Sequence, residues 1–191
     1  MLIGVLGYTD KRPVIYALMK ILQATGDVAV ITSNRHYKRL LEDHASFGHM
    51  ANIMIAVTDA TPDEVFHEIE HTQDDFDHII FDIQDTVPEK VDLMYYVKGY
   101  DYEEGEKDFL DCIGEYTTVN MMYGGRSEKG SINVPLTLSL ISTIEVIESK
   151  KILMGIPSKS LNQGLARGLA GVLSLGYKEA MKILTRGWNK R

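Results

Sequence analysis

Leu2-Ile3-Gly4-Val5-Leu6-Gly7 opens the chain, and Tyr8-Thr9-Asp10-Lys11-Arg12-Pro13 follows it. A short apolar run ending in glycine reads as a buried strand of a parallel sheet. Pro13 suits the first position of a helix, because its missing N–H would have no partner there. Val14, Ile15, Leu18, Ile21 and Leu22 then recur at helical spacing, and Gly26 reads as the C-cap. Val28-Ala29-Val30-Ile31-Thr32 reads as a second strand. The first 32 residues therefore predict strand, loop, helix, strand: a βαβ unit.

The alternation continues along the chain. His36 to Phe47 predicts a helix and Asn52 to Val57 a strand. Pro62 opens a helix ending near Thr72, with Asp63 and Glu64 in the first turn, where the helix dipole favours acids. Asp77 to Asp82 predicts a strand ending in an acid. Leu93 to Val97 predicts a strand, then an acidic helix covers Glu103 to Ile113. Tyr116 to Met122 reads as strand, Leu136 to Ser149 as helix, Lys151 to Gly155 as strand, and the rest as mostly helical. The fold class is α/β: a mostly parallel central sheet with helices on both faces. Ligands of such sheets bind beyond the carboxyl ends of the strands.

Composition limits the function classes. The 191 residues, 45% hydrophobic and 25% charged, suit a single domain, 1–191, and exclude wholesale disorder. No apolar run is long enough to cross a bilayer, and Asp10 and Lys11 come too early for a secretory leader. Cys112 is the single cysteine, which rules out an internal disulfide and a cysteine-based zinc site. A reducing cytoplasm is the expected compartment.

The net charge of −7 is unevenly placed. Residues 61–117 carry 3 basic and 18 acidic side chains, whereas residues 150–191 carry 9 basic and 1 acidic. An acidic protein is a poor general nucleic-acid binder. The basic C-terminal quarter is the surface on which DNA or an anionic membrane would be met. Opposite-sign faces that solvate the protein and favour self-contact are the plainer reading.

Three segments, in order, carry a resemblance. Asp75-Phe76-Asp77-His78-Ile79-Ile80-Phe81-Asp82 has an aspartate–aromatic–aspartate lead-in, an apolar run and a terminal aspartate. Thr118-Val119-Asn120-Met121-Met122-Tyr123 places an asparagine within a strand pattern, and Ile152-Leu153-Met154-Gly155-Ile156-Pro157 ends in Ile-Pro before a helical stretch, Leu161 to Gly168. Together they resemble the ParA/MinD superfamily of P-loop ATPases over most of the chain. The resemblance implies that Asp82 stands where an aspartate supports magnesium and water. It implies that Asn120 and Pro157 stand where the adenine base is met.

The first loop departs from that family. A P-loop needs a second glycine and a Gly-Lys-Ser/Thr run to wrap and neutralise phosphates. Tyr8 to Val14 supplies none of these, and the loop is short. Pro13 removes an amide, and Asp10 near the helix start competes with a phosphate. Lys11 and Arg12 remain able to attract an anion. The cofactor-binding candidates are therefore Lys11, Arg12, Asp82, Asn120 and Pro157, with no catalytic residue and no metal ligand assigned. The expectation is a noncatalytic ParA/MinD-like scaffold without a cofactor. It would position a protein partner of a partition, secretion, pilus or conjugation system, and a homodimer is the family expectation. The alternatives are a nucleotide-binding enzyme that takes ATP and magnesium through an atypical loop, and a membrane-surface adaptor.

Other signals have plain readings beside sharper ones. His67-Glu68-Ile69-Glu70-His71 matches H-E-x-x-H, but Glu70 and the acidic flank disfavour a zinc helix. Residues 177–191 read as a basic amphipathic helix with Lys178, Lys182, Arg186 and Lys190 beside Met181, Leu184 and Trp188. It suits packing on the sheet or an anionic membrane. Gly164, Gly168 and Gly171 suit close helix packing. Tyr95 and Tyr96 suit alternation across a strand, with Tyr100 and Tyr102 beyond. Cys112 reads as a buried thiol. Gly124 to Ser131 reads as an exposed loop.

Overall fold

Eight strands form one sheet in a computed structural model that describes residues 1–68, 71–84, 90–99, 106, 110–111, 113–123 and 125–187. They are β1 (Leu2–Leu6), β2 (Val28–Thr32), β3 (Phe47–Met50), β4 (Ile53–Val57), β5 (His78–Ile83), β6 (Leu93–Lys98), β7 (Thr117–Met122) and β8 (Ile132–Pro135). Their order in space is β3-β4-β2-β5-β1-β6-β7-β8, with β3 antiparallel to β4 and every other pair parallel. The described helices are α1 (Arg12–Leu22), α2 (Pro62–Glu68), α3 (Leu138–Lys150), α4 (Lys159–Leu169) and α5 (Tyr177–Thr185).

Side-chain alternation divides the core between the two faces of the sheet. Ile3, Val5 and Tyr95 join the cluster that buries α1, α3, α4 and α5. Leu6 and Tyr96 join the opposite cluster with Val65 and Phe66 of α2. The crossover through α1 runs from β1 past β5 to β2, and the one through α2 runs back from β4 past β2 to β5. A single handedness of crossover puts the helices of two crossovers that move in opposite directions along the sheet on opposite faces. The crevice beyond β1 and β5 is where the connections diverge, so it is the ligand position this topology creates.

Glycines set the close approaches. Gly7 has φ +130°, and a Cβ there would lie 2.1 Å from the carbonyl oxygen of Val97 at the end of β6. Gly164 seats α4 on β8, since a Cβ would lie 2.3 Å from Ile132. Gly26 is not a cap: α1 ends at Leu22, and Gly26 instead leaves room for the Asp77 carboxylate, which accepts from the Asp27 N–H at 2.9 Å.

Four further expectations need correction. His36 to Phe47 is expected to be a helix, but Arg35–Leu40 is a 3-10 helix capped by Asn34, and Asp43 and His44 have φ of 51° and 52°. These left-handed residues turn the chain into β3, a hairpin strand that the sequence reading does not predict and whose first residue, Phe47, it assigns to the helix. The helix begun by Pro62 reaches Glu68, and His71 and Thr72 lie outside it. Residues 151–155 are not a strand. Ile152 is 59% exposed, the Leu153 carbonyl accepts from Lys20 Nζ at 3.0 Å, and the Gly155 N–H donates to the Arg186 carbonyl. The place beside β7 belongs to β8.

The fourth correction is the C-terminal helix. It stops at Thr185, Arg186 is extended and Gly187 has φ +87°. Within α5, Ala180 and Leu184 are buried in the core, so the apolar stripe packs inward. No helix among the described residues is long and apolar enough to cross a membrane. Cys112, Tyr100, Tyr102, Gly124, Trp188 and most of the acidic segment 103–113 lie outside the described residues.

Gly7→Ala combines a disfavoured φ with a backbone collision and should cost about 2–4 kcal/mol, read as a fall in the urea unfolding midpoint. Gly171→Ala, where a Cβ meets nothing within 4 Å, should change stability by no more than about 0.5 kcal/mol. Equal midpoints for the two variants would contradict the packing of the first loop against β6.

Candidate functional site

The loop between β1 and α1 crosses the carboxyl ends of the central strands and delivers two cations in opposite directions. Lys11 reaches across to β5. Its Nζ lies 2.5 Å from Asp82 Oδ1 and donates to the Ile83 carbonyl at 2.8 Å. The other carboxylate oxygen of Asp82 accepts from the Thr32 hydroxyl at 2.5 Å, across the β2–β5 register that pairs these residues. Lys11 is 3% exposed and Asp82 2%. Charges this deep persist only when paired, and here both carboxylate oxygens are engaged.

Arg12 turns the other way. Its Nε and Nη2 donate to the two oxygens of Asp10, each at 2.8 Å, in a bidentate fork. Its Nη1 donates to Glu148 Oε1 at 2.9 Å. The bond to Asp10, reinforced by Glu148, raises the Arg12 pKa further above its already high ordinary value. Glu148, on α3, is 4% exposed. Its Oε1 also accepts from the Tyr16 hydroxyl at 3.0 Å, and its Oε2 accepts from Arg39 Nη1 at 3.3 Å. Burial first, and the nearby Glu148 carboxylate second, push the Tyr16 phenol up. One carboxylate thus ties together the start of α1, the 3-10 segment and α3.

The start of α1 has little left to offer a phosphate. The Arg12 N–H donates to Asp10 Oδ1 at 3.1 Å, Pro13 has no N–H, and Val14 and Ile15 both donate to the Lys11 carbonyl. Anion sites at helix starts depend on such N–H groups being free. On the β6 side, Glu106 accepts from the Tyr8 N–H at 3.2 Å and from the Tyr96 hydroxyl at 3.1 Å, which holds the loop down. The Tyr37 hydroxyl, fully buried near Asp82 and Tyr16, has no hydrogen-bond partner among the described residues.

The five candidates do not converge. Lys11 and Asp82 meet, and Arg12 leaves the same loop for Asp10 and Glu148. Asn120 lies on β7, separated from β5 by β1 and β6, which at strand spacing is about 14 Å. Its amide donates to the Arg126 carbonyl at 3.0 Å and to Asn133 Oδ1 at 2.8 Å, so it braces the β7–β8 loop. Pro157 precedes α4, where Ser158 caps the helix and the Ile156 carbonyl accepts from Asn162. His67 is exposed, and the His71 ring, 3.2 Å from Asp75, is turned to that carboxylate. Among the described residues no cluster of three His, Cys, Asp or Glu side chains is placed to hold a metal ion.

Sequence reasoning missed Glu148, Arg39, Tyr16 and Thr32. Glu148 did leave a signal: it sits one helical turn after Ile144, in the stripe of Leu140, Ile144 and Ile147 that α3 buries. An acid in an apolar stripe must find a buried cation.

Comparison with known proteins agrees with this topology. No family model matches the sequence, and no curated protein matches it. The structure is similar to that of the MinD cell division protein of Aquifex aeolicus, with a TM-score of 0.51 over 96% of this chain and 94% of that one, at 9% identity. The chain has a ParA/MinD-like α/β fold.

Proposed function

We propose that this chain is a noncatalytic member of the ParA/MinD-like fold group that acts as a scaffold, positioning a protein partner of a partition, secretion, pilus or conjugation system. A homodimer belongs to the same reading. The observation that carries it is the buried Lys11–Asp82–Thr32 cluster. Phosphoryl transfer needs a metal supported at a free carboxylate and a loop of free amides around the phosphates. Asp82 is met on one oxygen by the Lys11 ion pair and on the other by the Thr32 hydroxyl, and the Tyr8 and Arg12 amides of the loop are bonded to Glu106 and Asp10. Lys11 acts here as a built-in counterion, and the pair holds the β1–α1 loop onto β5.

Two measurements test this reading. Calorimetric titration of ATP and ADP, each with and without magnesium, should give no heat of binding at millimolar nucleotide. Turnover of ATP that disappears in Asp82→Ala would overturn the proposal. In parallel, Lys11→Met leaves a buried carboxylate without its cation and should cost about 3–5 kcal/mol in urea unfolding. The double variant Lys11→Met/Asp82→Asn should be more stable than Lys11→Met alone. A single variant as stable as the parent would show that the pair does not hold the loop.

A further inference from the structure

The first turn of α3 and its outward face are left uncovered. Leu138 is 84% exposed, Leu136 44% and Ile141 39%. A helix with apolar residues on its outward side is normally covered by something. Two cavities lie along this helix. One, of about 290 Å³, has an apolar wall of Pro13, Leu136, Leu140, Ile141 and Ile144. The other, of about 590 Å³, is lined by Asp43, His44, Ser149 and Lys151 among others. Arg39, Glu145 and Glu148 border both, so the cavities meet at the Arg39 side chain.

That meeting point is chemically unusual. Glu148 is buried, and its Oε1 takes two good hydrogen bonds, from Arg12 and Tyr16. Its Oε2 takes a single long one, 3.3 Å, from Arg39, whose side chain is 57% exposed. A long, half-exposed side chain making one long contact is easily displaced, because an exposed pair is weak and its flexible chain opposes it. With Arg39 swung out, Glu148 Oε2 and Glu145 face a continuous groove, and a buried carboxylate accepts a fresh cation strongly.

We propose that this groove docks an arginine-bearing apolar segment of a partner protein. The partner's guanidinium would replace Arg39 on Glu148 Oε2, and its leucine-type neighbours would cover Leu136 and Ile141. The occupant follows from charge and shape. Asp43, Glu145 and Glu148 outnumber Arg39 and Lys151, while Asp10 and Arg12 cancel in their fork, so the groove carries an excess of carboxylate. It runs along a helix of 13 residues, about 20 Å, and lies open along one side, which suits a peptide better than an enclosed small molecule. The inference rests on the partner-binding reading for the occupant being a protein. Its test lies apart from the nucleotide titrations, which report on Lys11 and Asp82.

The test uses a capped peptide with one arginine between leucines, its citrulline analogue and free argininamide, each titrated by calorimetry into the full chain. The arginine peptide should bind, and the citrulline peptide should bind about tenfold or more weakly, because it loses a charged hydrogen bond. The sign of the Arg39→Ala effect decides between ligand chemistries. Removing the competing cation should tighten the arginine peptide by about two- to fivefold, the range that an exposed pair is worth. Ile141→Asp, at an exposed position, should weaken it. Equal binding of the arginine and citrulline peptides, weaker binding by Arg39→Ala, or no binding by either protein would overturn the proposal. So would argininamide binding as tightly as the peptide, which would indicate a small-cation site. Self-association of the chain that Ile141→Asp abolishes would assign the groove to a second copy, and likewise overturn it.

Discussion

A carboxylate buried at the end of a central parallel strand has to be answered by a cation, and the cation that answers Asp82 comes from the loop between β1 and α1. Both partners are almost without solvent contact, so the energy of each depends on the other. Breaking such a pair is far costlier than never having had it. The geometry follows from topology: β5 sits between β1 and β2, so a side chain leaving β1 and a hydroxyl ending β2 reach the same carboxylate from both sides. Lys11, drawn inward, ties the β1–α1 loop to the end of β5.

A second charge cluster takes its shape from the first. With Lys11 turned toward the sheet, Arg12 has the opposite face of the loop, where Asp10 fixes it in a fork and Glu148 completes its bonding. The two clusters neutralise themselves internally, and α1 runs between them with residues 13 to 22 all buried. The helix start of a nucleotide-binding fold usually presents donors to a ligand. Here those donors are tied to the chain itself.

Much of the fold was legible because the strands are apolar runs and the helices between them have clear ends. Leu2 to Gly7, Val28 to Thr32 and Asp77 to Asp82 could hardly be anything but buried strands, and their alternation with helices fixes a parallel sheet. What escaped was decided by tertiary context. Phe47–Met50 is short and half-exposed, and two left-handed residues ahead of it carry no glycine signal. Residues 151–155 look like a strand, but their backbone groups bond to Lys20 and Arg186, and the neighbouring position was already filled. At the site, Lys11 and Asp82 were legible as residue types, but their pairing was not, because it depends on strand order. Glu148 needed the recognition that an acid in a buried stripe demands a buried base.

The two margins of the sheet differ in a way that bears on how this molecule avoids joining its neighbours edge to edge. At one margin, β8 is four residues long and ends in Pro135, which has no N–H to offer a further strand. The loop that precedes it is knotted back onto Asn120 and Asn133, which stiffens that border. At the other margin, β3 runs against the grain of the sheet, carries no proline, and leaves Phe47 43% exposed. Lateral growth of the sheet, whether by a stray strand during synthesis or by a crowded unfolded chain, is therefore channelled to β3, where only the brevity of the strand limits it.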